Sequence, residues 1–169
     1  MRASMPTKDK IIEVAKYFIK KSQDAVVKDP SRKLDALKLQ KLLYYAKAWN
    51  LVLNKGHKLF PDEFQAWVHG PANPKVWYHF QGFDFSGKHP DITQKCFENI
   101  TDKEKVVLDI VWNSYGKFDG KYLEMLTHAE DPWLNARSGL NQSDISQNII
   151  SDESIQSYYE RRFQETARI

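Results

Sequence analysis

The sequence predicts a mainly α-helical fold, a compact helical domain built around a central apolar helix, with a small β-hairpin or extended segment near residues 59–69. Apolar residues recur at helical spacing in several long stretches, whereas a strict alternation of apolar and polar residues occurs only once. A length of 169 residues with no repeat and no linker predicts a single domain over 1–169, in which residues 1–6 are expected to be flexible.

The first half of the chain contains the predicted central helix. An amphipathic helix is expected over Thr7–Gln23, and the Pro-containing stretch Asp24–Lys33 is expected to be a loop. The next helix, about Asp35–Asn54, is apolar on nearly every side, which is typical of a helix packed by neighbours in several directions. Its polar residues form one narrow strip: Gln40, Lys47, Asn50 and Asn54. Gly56 follows it as a left-handed cap.

The only convincing strand pattern lies in Leu59–His69. Phe64, Ala66 and Val68 alternate there with polar or amphipathic residues, and a turn at residues 60–62 precedes them. Gly70-Pro71 is expected to end the strand. Pro74 suits the first position of a short helix, in which Val76, Trp77 and Phe80 follow at helical spacing.

The second half of the chain predicts shorter helices. Gly82–Asn99 is the longest irregular stretch, and Thr101 with Glu104 forms a capping box that opens a helix through Tyr115. Short helices are expected over Lys121–Thr127 and Pro132–Arg137, followed by a loop over Gly139–Asn148. Ser151 is expected to cap the last helix, and its predicted buried stripe is Ile155, Tyr158, Tyr159 and Phe163.

Catalytic and metal-binding patterns are lacking in the sequence. The five histidines show no ligand spacing with one another or with Cys96, and this lone cysteine is expected to be half-buried. No nucleophile elbow, phosphate-binding loop or zinc-protease motif occurs, so we expect neither an enzyme nor a cofactor or metal.

Charge and hydropathy narrow the choice of partner and compartment. The net charge is only +3 and the basic residues are spread along the chain, which does not favour nucleic acid as a partner, and the lysines of the first helix are expected to face solvent. No signal-peptide core or membrane span is recognisable, which predicts a cytoplasmic protein without a membrane partner.

Two segments are dense in aromatic, proline and histidine residues. Trp67–Trp77 can be interpreted as a rigid corner with packed tryptophans, or as a preformed edge that presents aromatic side chains to a partner; the two are compatible. Leu126–Ala136 places His128 beside Pro132-Trp133, which predicts a corner that fixes tertiary geometry.

Together with the central helix, these segments resemble the Panacea domain family of SocA-like and phage-associated GepA-like antitoxin proteins. The resemblance covers about residues 34–163. Ala72-Asn73 and Trp77 depart from the family pattern, and Gly82–Asn99 does not match it closely. The motifs that carry the resemblance are Leu39, Leu42, Leu43, Tyr45 and Trp49, then Gly70-Pro71, then His128 with Pro132-Trp133.

The resemblance implies an antitoxin that binds and neutralises a cognate protein toxin, encoded by an adjacent gene in a prophage or mobile element. An alternative is a proteolytic adaptor that delivers a toxin to a protease, and an alternative of another class is a nucleic-acid-binding phage regulator. No catalytic residues come with the family. The predicted partner-binding residues are Tyr44, Trp67, His69, Asn73, Trp77 and Tyr78.

Overall fold

The structure, a computed structural model, describes residues 9–167. Over these residues it is mainly α-helical, as predicted, with a small three-stranded antiparallel sheet. The helices are α1 Lys10–Val26, α2 Ala36–Leu53, α3 Pro74–His79, α4 Asp102–Tyr115, α5 Gly120–His128, α6 Asp131–Ala136 and α7 Asp152–Ala167, with 3-10 turns at Pro30–Arg32 and Gln94–Phe97. The strands are β1 Phe64–Trp67, β2 Gly70–Ala72 and β3 Ile149–Ile150.

Helix α2 is the centre of the fold, in agreement with its apolar sequence. The helices α1, α3, α4, α5 and α7 and strand β2 all pack against it. The Asp35 carboxylate caps its start by accepting a hydrogen bond from the Lys38 amide at 2.8 Å. Gly56 ends it in the left-handed conformation, with φ +86°, and its amide donates to the Leu51 carbonyl at 2.6 Å. Both predicted ends are confirmed.

The polar residues of α2 are also buried, and their side chains bond to backbone groups outside the helix. The Lys38 ammonium donates to the Gly116 carbonyl at 2.6 Å, and the Asn50 amide donates to the His57 carbonyl at 2.9 Å. Lys47 donates in the same way to the backbone of Asp62. Loop carbonyls that would be orphaned next to an apolar helix therefore receive their donors from that helix.

The sheet has the strand order β2-β1-β3, and both pairs are antiparallel. Phe64 and Ala66 are fully buried on its inner face, as the alternation predicts. β1 ends at Trp67, before the break expected at Gly70-Pro71, but Gly70–Ala72 is itself a strand, which was not predicted: the chain reverses at Val68-His69, and β2 pairs with β1. Gly70 permits this return with φ +98°. Strand β3 was not predicted, since two residues are too short to show a period.

The ends of the chain partly follow the predictions. Helix α1 begins at Lys10 and extends to Val26, while residues 1–6 lie outside the described part of the chain. The capping box at α4 and the Ser151 cap of α7 are confirmed. Ile155 and Tyr159 are buried, but the prediction for Phe163 is wrong. It is 46% exposed, because every described residue from Arg161 onward is exposed to solvent.

Candidate partner-binding surface

The corner between β2 and α3 is held by Asn73 and Gln40. The Gln40 side chain donates to the Asn73 carbonyl at 3.0 Å and accepts from the Asn73 amide at 2.8 Å. The Asn73 side chain in turn donates to the Glu63 carbonyl at 2.9 Å and accepts from the Val76 amide at 3.0 Å. Asn73 is only 5% exposed, so its prediction as a partner contact is wrong: its polar atoms are already used to cap α3.

Tyr44 is likewise not a surface anchor. Its side chain has no exposed area and packs edge-on against Phe64, Tyr45 and Tyr159, with ring centroids 5.5, 5.7 and 6.3 Å away. The prediction of an exposed Tyr44 is wrong because α2 is covered on all sides. The signature residues of the same helix, Leu39, Leu42, Leu43 and Tyr45, are core residues as well. Trp49 is half-buried and donates to the Tyr115 hydroxyl at 2.9 Å.

The segment Leu126–Ala136 and the following Arg137 contact the hairpin. Trp133 is 2% exposed, and its indole N–H donates to the Trp67 carbonyl at 2.8 Å. His128 stacks on Trp133 with ring centroids 4.1 Å apart, and burial lowers the pKa of His128. The Arg137 guanidinium donates to the Ala66 carbonyl at 2.8 Å. These contacts join α5 and α6 to β1, so the corner at Leu126–Ala136 fixes tertiary geometry, as predicted. Pro132 is buried as well.

Gly70 and Pro71 are buried against α2 and α5. The Lys41 ammonium is 1% exposed and donates to the Pro71 carbonyl at 3.0 Å. Burial lowers the pKa of Lys41 to about 7. A Cβ at Gly70 would lie 2.7 Å from Lys41 Cε and 2.8 Å from Thr127 Oγ1. The glycine therefore lets the hairpin approach the central helix closely.

Four of the predicted partner-binding residues remain at the surface: Trp67, His69, Trp77 and Tyr78. We call this set the aromatic surface. Trp67 and Trp77 meet edge to face with ring centroids 6.2 Å apart, and the Trp67 indole donates to the Gln65 amide oxygen at 2.7 Å. Trp77 is 41% exposed and Tyr78 is 72% exposed. The exposed His69 ring lies 2.8 Å from a Glu124 carboxylate oxygen on α5. Structural contacts thus hold two of the aromatic rings while leaving area open to solvent.

An open aromatic groove continues from Trp77, with a volume of about 320 Å³. Phe80, Phe83 and Phe85 line it, and their ring centroids are 4.8–6.2 Å apart. Phe83 also stacks on His89 at 4.2 Å. The sequence predicted only an irregular stretch here. Three phenylalanines within six residues were the signal that this loop is packed rather than solvated.

The strongest pKa shift of a carboxylate occurs at Glu130, between α5 and α6. Its Oε1 accepts from the hydroxyl groups of Tyr159 at 2.6 Å and Tyr45 at 3.2 Å. Burial raises the pKa of Glu130 to about 7, although these two hydrogen bonds act in the opposite direction. The partners of this carboxylate belong to α2 and α7, so Glu130 joins three parts of the fold.

Residues 9–167 contain neither a metal-binding cluster nor a membrane-spanning helix. Within that range, no three histidine, cysteine or acidic side chains lie close enough together to hold a metal ion. Nor does any helix there have the length and apolar character needed to span a bilayer. The lysines of α1 are largely paired: Lys10 with Glu104 at 3.0 Å, Lys20 with Asp24 at 2.8 Å and Lys21 with Asp109 at 2.9 Å.

The fold and the aromatic surface define a mainly helical protein that presents partly exposed aromatic side chains at the corner between its hairpin and α3. The family model described as "Antitoxin SocA-like, Panacea domain" matches residues 39–134, which is more than half of the chain. The chain therefore belongs to the SocA-like antitoxin family with a Panacea domain. This membership supports an antitoxin-type role. No curated protein and no solved structure matches the chain.

Proposed function

We propose that this protein binds and neutralises a cognate protein toxin in the cytoplasm, acting by binding rather than by catalysis, and that an adjacent gene of a prophage or mobile element encodes the toxin. The membership of the SocA-like antitoxin family carries this proposal. The toxin would act as the ligand of a preformed surface, because the hydrogen bonds of Asn73, Trp133 and Arg137 hold the corner in place.

The aromatic surface is the proposed contact region, with Trp77 and Tyr78 as its anchors. Tryptophan and tyrosine supply large contact areas and are enriched among residues that dominate binding energies. The edge-to-face contact with Trp67 restrains the Trp77 ring before binding, which reduces the entropy lost on association. The adjoining aromatic groove offers a recess for an apolar side chain of the toxin.

Co-expression with the product of the adjacent gene tests the proposal. We expect that product to arrest growth alone and the wild-type protein to restore growth. The double variant W77A/Y78A should need at least tenfold more protein for the same rescue, while its melting temperature stays within about 3 °C of the wild type, since surface substitutions cost little stability. Phe163→Ala is the matched control, because Phe163 is exposed to a similar extent on α7.

Three outcomes separate the parts of the proposal. An adjacent product that never harms growth, or that harms it equally with this protein present, contradicts the neutralising role. Full rescue by W77A/Y78A retains that role but rejects the aromatic surface. The half-life of the toxin distinguishes the mechanisms: a half-life shortened by this protein indicates a proteolytic adaptor, whereas an unchanged or longer one indicates direct neutralisation.

A further inference from the structure

A second recess lies between α1, the end of α3 and the loop that follows α3. It is an open pocket of about 460 Å³. Three carboxylates from different parts of the chain line it: Asp9 before α1, Glu13 in the first turn of α1, and Asp91 in the long loop. Lys16, Lys95 and His79 also line the pocket, so its three carboxylates outnumber its two lysines.

Among the residues that line this pocket, Glu13 is unusual because it is a buried carboxylate. It is only 5% exposed and is the one ionisable residue among the buried residues of α1. Its Oε1 accepts a hydrogen bond from the Asn99 side chain at 2.8 Å, whereas its Oε2 is buried and has no hydrogen-bond partner among residues 9–167. A buried carboxylate oxygen without a donor is costly, and native structures rarely keep one unless another molecule satisfies it.

The carboxylates that line the pocket favour a cationic ligand with several hydrogen-bond donors. A carboxylate accepts hydrogen bonds but cannot donate them when ionised, so the missing partner of Glu13 must be a donor. A guanidinium group carries five N–H donors in a planar fork, can bridge two carboxylates, and is easier to desolvate than an ammonium group. The pocket volume exceeds what one such group needs.

We propose that this pocket binds a guanidinium group, with Glu13 as the principal acceptor and with Asp9 and Asp91 as supporting charges. Asp9 already forms an ion pair with Lys75 at 3.0 Å, which leaves Glu13 with the larger share of the interaction. His79 lines the same pocket. The guanidinium can come from an arginine of a partner protein or from a free small molecule.

Titration of the full chain with Nα-acetyl-arginine methylamide, followed by amide chemical shifts, tests the proposal. We expect saturable shifts centred on Glu13, Asn99 and His79. The neutral isostere Nα-acetyl-citrulline methylamide should cause none. Agmatine distinguishes the two sources: binding at least as tight as that of the arginine amide indicates a free small molecule, and weaker binding indicates an arginine side chain with its backbone. Either result supports the guanidinium site.

Variants locate the interaction. Glu13→Gln keeps the shape and the acceptor for Asn99 but removes the charge, so the dissociation constant of the arginine probe should rise at least tenfold. Glu153→Gln, which neutralises an exposed carboxylate on α7, should leave it within twofold. Asp91→Asn is a second, exposed test position that should weaken binding severalfold even if Glu13→Gln does not fold.

Absence of shifts at the pocket, equal binding of the citrulline probe, or equal binding by Glu13→Gln would overturn the assignment. The probe is a small molecule, so this result does not depend on the identity of the toxin. Failure here would leave the neutralising role of the aromatic surface unaffected.

Discussion

The buried carboxylate of Glu130 should make the stability of this protein fall as the pH rises from about 4.5 to about 7. Burial raises the pKa of Glu130 from 4.5 to about 7 in the folded protein, and the hydroxyl groups of Tyr159 and Tyr45 together with the nearby Arg162 only partly oppose this shift. Below pH 4.5 the carboxyl group is protonated in both the folded and the unfolded chain, and it contributes no penalty.

Between these pH values the unfolded chain ionises while the folded protein still holds the proton. Because the folded state binds more protons there, the free energy of unfolding decreases with rising pH until the folded group also ionises near pH 7. Each pKa unit corresponds to about 1.4 kcal/mol, so the shift at Glu130 gives a total loss of roughly 3 kcal/mol. Above pH 7 this penalty stays constant.

Glu130→Gln removes the titration and keeps an acceptor oxygen for Tyr159. Urea unfolding of both proteins from pH 4.5 to pH 8 gives the difference in their free energies of unfolding, in which the other titrating groups cancel. We expect the variant to gain roughly 3 kcal/mol relative to the wild type across this range. Phe163→Ala, at an exposed position without an ionisable group, serves as the control and should show a nearly constant difference. A pH-independent difference for Glu130→Gln would refute the reasoning.

Three further predictions concern the core and can be checked by urea unfolding. Tyr44→Ala should cost roughly 3–5 kcal/mol because it empties a fully buried site, whereas Tyr44→Phe should cost less than about 1 kcal/mol since it keeps the ring that fills this site. Gly70→Ala should cost roughly 2–4 kcal/mol because its Cβ would lie 2.7 Å from a buried lysine carbon; Gly82→Ala, also at positive φ but in open space, should show only the backbone cost of about 1–2 kcal/mol. Lys47→Met should cost roughly 3–5 kcal/mol, because it leaves Asp152 without the fully buried ammonium 2.7 Å away; a loss below about 1 kcal/mol would show that Lys58 alone satisfies this carboxylate.

Local sequence features predicted most of the secondary structure. The helix periodicity of α2, the capping box at Thr101 and the left-handed Gly56 depend on residues a few positions apart, so they are readable without a tertiary structure. The same holds for the alternation that buries Phe64 and Ala66. Strand β2 was missed because its pairing partner, rather than its own glycine and proline, stabilises it as a strand.

The candidate surface was only partly predictable. Trp77 and Tyr78 are exposed as expected, but Tyr44 and Asn73 are buried, because the covering of a side chain depends on elements distant in the sequence. Asn73 is used by Gln40, 33 positions earlier, and no local pattern marks that pairing. The phenylalanines of the aromatic groove were missed for the same reason: their loop has no regular period.

By itself, then, the sequence determined the class of fold and the family, since helical spacing, caps and ordered motifs are properties of short segments. Only the tertiary structure decided which residues of those motifs face a partner and which face the core. It also decided that the polar residues of α2 are internal donors and that one carboxylate oxygen of Glu13 has no donor within the described part of the chain. Burial and hydrogen bonding depend on contacts between residues that are tens of positions apart, and no local sequence pattern shows which of those residues come together.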